Sequence, residues 1–170
     1  MLKWLRPDHV VQFVTQIDVE ELRDRGIRGL LLDLDNPLGA WNSHELEESV
    51  HLWLEWAQAC DLSLCLVSNA KPGRIQRAID PLDIPFVALA RKPMLKGFRR
   101  AMKLLGTEPK QTAMIGDQVF TDVLGANLLG LHTILIELPQ LPEQWWMKGT
   151  RRLERWVLRR QKAAALKALD

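Results

Sequence analysis

Apolar runs and amphipathic stretches alternate along this chain. Residues 29–32, 62–67, 85–88, 112–115 and 131–136 are short and mostly apolar. Turn-forming or charged residues bound them, the pattern of strands buried on both faces. Between them, apolar residues recur at helical spacing. Leu46, Val50, Trp53, Leu54 and Ala57 mark a helix over 44–59, with Ser43 as its cap. Pro72 sits near the first turn of a helix to about residue 80. Further helices are predicted over 94–105, closed by Gly106, and over 119–129, closed by Gly130. In the entry segment, Pro7-Asp8 reads as a helix start. Asp18 can cap residues 19–25, with Glu21 three positions on in a capping-box-like pattern. Strands alternating with helices predict an α/β fold: a doubly wound, Rossmann-like parallel sheet of about five strands. The loops are too short to hold a large cap domain.

The bulk properties narrow the class. A chain of 170 residues, 47% hydrophobic and 26% charged, suits one soluble domain with a sizeable core. It shows no apolar run of membrane-spanning length and no signal peptide, so the cytoplasm is the expected compartment. Cys60 and Cys65 stand in apolar surroundings and read as buried small residues. His9, His44, His51 and His132 are scattered and suggest no ligand cluster. The net charge of +2 conceals an uneven distribution. Residues 143–170 carry eight Lys/Arg against three acids, with Trp145, Trp146 and Trp156 among them. A division follows into a body over 1–142 and a basic, tryptophan-rich C-terminal helix over 143–170.

The polar residues that interrupt the pattern fall at strand ends. They are Asp33 and Asp35, Ser68 and Asn69, Lys92, and Gly116 and Asp117. In doubly wound sheets, sites lie outside the carboxyl ends of the strands, so this placement brings four stretches into one crevice. Asp33 and Asp35 point the same way, because a strand alternates with period two. Like charges so placed raise each other's proton affinity unless a cation or a division of roles relieves them. One reading is a Mg²⁺-dependent phosphoryl-transfer site; the other is a pair of exposed acids in a strand-to-loop turn.

The first reading needs specific parts. An aspartate attacking a phosphate ester needs a cation to offset charge repulsion. It needs a second acid to protonate the leaving oxygen, and donors for the phosphoryl oxygens. Asp33 can attack and ligate metal, and Asp35 can serve as acid and base. Ser68 and the backbone N–H of Asn69 can bind the phosphoryl group, and Lys92 can balance its charge. Asp117 can complete the metal site, with Asp122 behind or adjoining it.

These stretches resemble, in order, the four motifs of the haloacid dehalogenase superfamily of phosphatases. Asp33-Leu34-Asp35 resembles the first, Ser68-Asn69 the second and Lys92-Pro93 the third. Gly116-Asp117-Gln118-Val119-Phe120-Thr121-Asp122 resembles the fourth. Gly26-Ile27-Arg28-Gly29-Leu30, Asp33-Leu34-Asp35-Asn36 and Val67-Ser68-Asn69-Ala70, with the fourth motif, resemble the YqeG-type class IIIA branch. That resemblance implies a phosphomonoesterase working through a phosphoaspartyl intermediate, with Asp33 as nucleophile and Asp35 as general acid/base. It implies Ser68 and Lys92 as phosphate binders. It implies Mg²⁺ held by Asp33, the backbone carbonyl of Asp35, and Asp117. The branch is related to phosphatidylglycerophosphate phosphatases, so a lipid-linked phosphate ester is the leading substrate, with a small soluble phosphate as alternative. Pro37 departs from the motif, which usually has Thr or Val there; proline removes a backbone donor, so a non-catalytic scaffold is a further alternative. The tail at 143–170 suits peripheral contact with anionic lipid, or packing of its tryptophans on the body. No RNA-binding motif accompanies its bases.

Overall fold

A computed structural model describes residues 2–34, 48–79 and 83–137 of the chain. Its strands are β1 His9–Val11, β2 Gly29–Leu32, β3 Ser63–Val67, β4 Phe86–Val87, β5 Thr112–Gly116 and β6 His132–Ile136. All pair in parallel in one sheet of order β1-β6-β5-β2-β3-β4. The helices are α1 Val19–Asp24, α2 Glu48–Ala59, α3 Pro72–Ile79, α4 Leu95–Leu105 and α5 Leu124–Leu129. Among the described residues, strand connections are helices and short turns, with no inserted domain. No helix among them is long and apolar enough to cross a membrane.

Every residue of β2 is buried, because both faces of the sheet are covered. Side chains alternate along the strand, so its leucines divide between two apolar layers. Leu30 and Leu32 join Leu64, Leu66, Trp53, Leu54 and Ile75, beneath α1, α2 and α3. Leu31 joins Cys65, Val67, Phe98, Ala101 and Ala126, beneath α4 and α5. Trp53 donates its indole N–H to the Ile17 carbonyl at 2.9 Å, so the ring is buried without an unpaired donor. The expected caps form where sequence chemistry calls for them. Asp18 Oδ1 accepts from the N–H groups of Glu20 and Glu21 at 2.9 and 3.0 Å. Gly106 and Gly130 end their helices in the left-handed region, at φ 66° and 76°, where a Cβ would be disfavoured.

The sheet has six strands where the pattern predicts about five. The addition is β1, which forms where Pro7-Asp8 reads as a helix start. Asp8 is engaged across the sheet edge: its Oδ2 accepts from Thr133 N at 2.8 Å and Thr133 Oγ1 at 3.0 Å. Asp8 N donates to the Thr133 carbonyl at 3.0 Å. The 3₁₀ turn Leu2–Leu5 before it is held by Asn127, whose Nδ2 donates to the Trp4 and Arg6 carbonyls, both at 2.9 Å. The predicted helix over 119–129 opens as a π-helical turn, Val119–Val123, before becoming α5.

Residues 35–47 lie outside the described residues, and with them Asp35, Pro37 and the Ser43 cap. So do residues 138–170, with the basic tail.

Candidate active site

Strand order reverses around β2: β3 and β4 extend the sheet on one side, β5 and β6 on the other. Loops leaving neighbouring strands there diverge and open a crevice. Leu32 lies opposite both Leu66 and Ile115, so the three central strands end nearly level. The Asp33 N–H adds one rung to the ladder, donating to the Ile115 carbonyl at 2.9 Å. Asp33 thereby sits at the carboxyl edge of the central strand, between Ser68 after β3 and Gly116-Asp117 at the end of β5.

At this edge one cation meets several acids. Lys92 Nζ stands 2.6 Å from Asp33 Oδ1 and 2.7 Å from Asp122 Oδ1. Asp33, Lys92 and Asp122 are 3%, 7% and 1% exposed. Carboxylate oxygens of Asp33, Asp117 and Asp122 lie within 4.8 Å of one another. Burying such charges costs more than pairing them returns unless geometry and hydrogen bonds are good. Burial pushes the Asp122 carboxyl up to about 7; Lys92 opposes the rise, and the charges of Asp33 and Asp117 add to it. Burial also pulls the Lys92 ammonium down, but the carboxylates of Asp122 and Asp33 outweigh it and leave Lys92 above its ordinary value. The lysine therefore stays charged.

Two loops hold Lys92 in place. Ala90 N donates to the Ser68 carbonyl and Leu89 N to the Ala70 carbonyl, both at 3.0 Å, joining the loop after β4 to the loop after β3. The Asn69 side chain closes on the lysine backbone: Lys92 N donates to Asn69 Oδ1 at 2.7 Å, and Asn69 Nδ2 donates to the Lys92 carbonyl at 3.4 Å. The Lys92–Pro93 peptide is cis. Ser68 is fully buried, and its Oγ accepts from Ala70 N at 3.0 Å, a turn that serine side chains favour.

Asp122 is placed by the π-helical turn. Asp122 N and Val123 N both donate to the Gln118 carbonyl, at 2.9 and 3.3 Å, the wider winding of a π turn. Gln118 N in return donates to Asp122 Oδ2 at 3.1 Å. Gly116 makes room: a Cβ there would lie 2.4 Å from Asp122 Oδ2.

The crevice thus gathers Asp33, Ser68, Asn69, Lys92, Gly116, Asp117 and Asp122 from four separate stretches. Two details go beyond the sequence reading. The sequence suggests a role for the Asn69 backbone N–H; in addition its side-chain amide clamps Lys92, 23 residues away. The sequence puts Asp122 behind or adjoining Asp117; its carboxylate also pairs directly with Lys92. A second polar residue after Ser68 was the only sequence signal for the first. The i+5 spacing from Asp117 was the only signal for the second.

A family model described as HAD-hyrolase-like matches residues 89–138, the stretch holding Lys92, Asp117 and Asp122. The Bacillus subtilis (strain 168) protein named "Probable phosphatase YqeG" is 35% identical over 156 residues, 92% of this chain and 91% of that protein. "Phosphatidylglycerophosphate phosphatase 1, chloroplastic/mitochondrial" of Arabidopsis thaliana is 26% identical over 99% of this chain, which spans about half (51%) of that longer protein. Among solved structures, the cobalt-bound deoxy-D-mannose-octulosonate 8-phosphate phosphatase YrbI of Haemophilus influenzae shares the fold. Its TM-score is 0.53 at 16% identity, over 81% of this chain and 91% of that one. Identity running through nearly the whole length of YqeG, on a sheet of this topology, places the chain in the haloacid dehalogenase superfamily, as a HAD-type phosphatase of the YqeG branch.

Proposed function

We propose that the protein is a Mg²⁺-dependent phosphomonoesterase acting through a phosphoaspartyl intermediate on Asp33. The substrate we propose is phosphatidylglycerophosphate or a similar lipid-linked phosphate. The observation that carries this reading is the Lys92 bridge from Asp33 to Asp122 at the end of the central strand. Lys92 fixes one Asp33 oxygen and leaves the carboxylate's other oxygen to meet phosphorus. That oxygen attacks, the P–O bond to the alcohol breaks, and Asp35 gives its proton to the leaving alkoxide. Asp35 then takes a proton from water as that water attacks phosphorus, and Asp33 is released with inorganic phosphate. The Ser68 hydroxyl and the Asn69 backbone N–H hold the phosphoryl oxygens during both steps.

The donor set fits a hard divalent cation. Three carboxylates gather within 4.8 Å of one another and one buried ammonium pairs with two of them, so negative charge is in formal excess. Oxygen ligands of this kind suit Mg²⁺. Asp33, Asp117 and the backbone carbonyl of Asp35 are its proposed ligands, with Asp122 and Gly116 in support. When bound, Mg²⁺ offsets repulsion between the carboxylates and the phosphate.

Likeness to the plant phosphatidylglycerophosphate phosphatase supports the lipid. The basic segment 143–170 is a proposed peripheral contact with the membrane, from the cytoplasmic side. The test is Mg²⁺-dependent phosphate release from phosphatidylglycerophosphate in mixed micelles, wild type beside Asp33→Asn. Release by the wild type alone is expected. Hydrolysis of soluble phosphates with none of the lipid would replace the substrate by a small soluble ester.

A further inference from the structure

We infer that the rim of the crevice on the β4 side docks on an anionic lipid bilayer, through Leu89, Met94 and the basic outer face of α4. Lys92 is buried, yet apolar side chains close on either side of it in sequence face solvent: Leu89 is 56% exposed and Met94 62%. Their display is a fixed feature of the loop. Leu89 holds φ 48°, a backbone conformation disfavoured for leucine. Its N–H is tied to the Ala70 carbonyl at 3.0 Å, and Met94 N to the Arg91 carbonyl at 2.8 Å.

The sequence around these two residues is predominantly basic. Residues 68–107 contain nine Lys/Arg, of which Lys92 is buried, against two acids, Asp80 and Asp83, in a chain whose net charge is +2. α4 turns Phe98, Ala101 and Met102 into the core and leaves Lys96, Arg99, Arg100 and Lys103 exposed. Arg91 and Lys71 are exposed beside the crevice. Apolar tips ringed by bases match an anionic bilayer: the tips enter the headgroup boundary while the bases stay with the headgroups. A nucleic acid would pair with the bases but leave Leu89 and Met94 unmatched. The described rim also has no exposed aromatic ring for base stacking. The exposed pair Leu52 and Trp56 on α2 does not compete, since exposed Glu48 and Glu55 share that helix and carry the wrong sign.

This docking face takes its purpose from the lipid-phosphate reading, and it is tested apart from it. Full-length protein is sedimented with phosphatidylcholine vesicles, with and without phosphatidylglycerol. The variants are Leu89→Asn/Met94→Gln, with asparagine chosen because it tolerates the left-handed backbone, and Lys96→Gln/Arg99→Gln/Arg100→Gln/Lys103→Gln. Hydrolysis of a soluble aryl phosphate is followed alongside. Wild type is expected to bind only vesicles with phosphatidylglycerol. The apolar variant is expected to lose about tenfold in partitioning while its aryl phosphate turnover holds. The charge variant loses up to roughly fivefold for each base removed. Unchanged binding in both variants would overturn the inference. So would binding to single-stranded RNA with none to the vesicles. Vesicle binding that responds to the variants, in a protein inert toward every phosphate ester, would sink the catalytic reading and leave the docking face standing.

Discussion

A Cβ atom on Gly116 would lie 2.4 Å from Oδ2 of Asp122 and 2.5 Å from its Cγ. The carboxylate that pairs with Lys92 therefore occupies the space where any other residue at 116 would carry its side chain. Gly116→Ala is expected to push Asp122 off Lys92. Turnover then falls by at least about tenfold, and the overpacking destabilises the fold by about 1–3 kcal/mol. Steady-state kinetics and a denaturant melt on one preparation check both effects. A variant with wild-type kinetics would show that Asp122 has slack the geometry does not suggest.

Lys92→Met removes the cation that Asp33 and Asp122 share. Breaking a buried ion pair from one side costs about 3–5 kcal/mol. The loss depends on pH. Burial pushes the Asp122 carboxyl from 3.8 up to about 7. Between those values the folded state holds a proton that the unfolded chain has lost, so this group's contribution to stability falls as pH rises. Without Lys92 that window extends upward. Denaturant melts in chelator are expected to show a larger gap between variant and wild type at pH 8 than at pH 5. An equal gap would mean that Lys92 does not stabilise these carboxylates.

His132 lies at the other end of the sheet, its Nδ1 3.5 Å from Asp8 Oδ2 and its ring 5.1 Å from that of His9. Burial lowers its pKa below 6.5; Asp8 and Glu21 oppose the shift, while His9 and Arg25 reinforce it. The folded state therefore resists a proton that the unfolded chain accepts. Stability from this group is present above pH 6.5 and is lost as pH falls through the lower folded value. His132→Gln is expected to flatten the decline in melting temperature between pH 7 and 5. A decline of unchanged slope would assign it elsewhere.

Cys65 is fully buried, and burial pushes its thiol up to about 12. Cys60 is 8% exposed. Since the thiolate is the reactive form, neither cysteine should react with a disulfide reagent at pH 8 in the folded protein. Both should react once denaturant is added. Rapid labelling of the native protein would contradict the burial of these two side chains.

The strand ends were legible because a strand buried on both faces is written as an unbroken apolar run, and Asp33, Ser68 and Gly116-Asp117 each end one. Their meeting at one edge follows from parallel topology, which alternation with helices already implies. β1 was not legible. It has three residues, none buried, too few to display a period. The π-helical turn at Val119–Val123 was equally hidden, since five residues cannot separate its winding from that of an α-helix. The Asn69 clamp depends on a contact 23 residues away, which no local pattern encodes. No sequence pattern marks Leu89 and Met94 as exposed, and only the structure reveals that they face outward.

Attack by Asp33 is tested most directly by trapping the covalent intermediate. The enzyme turning over an aryl phosphate with Mg²⁺ is quenched in acid, digested and mapped by mass spectrometry. One phosphoryl group is expected on the peptide that contains Asp33, and none in Asp33→Asn, which also loses turnover by at least about a thousandfold. A phosphoryl group on another peptide, or an Asp33→Asn enzyme that turns over like the wild type, would contradict attack by Asp33.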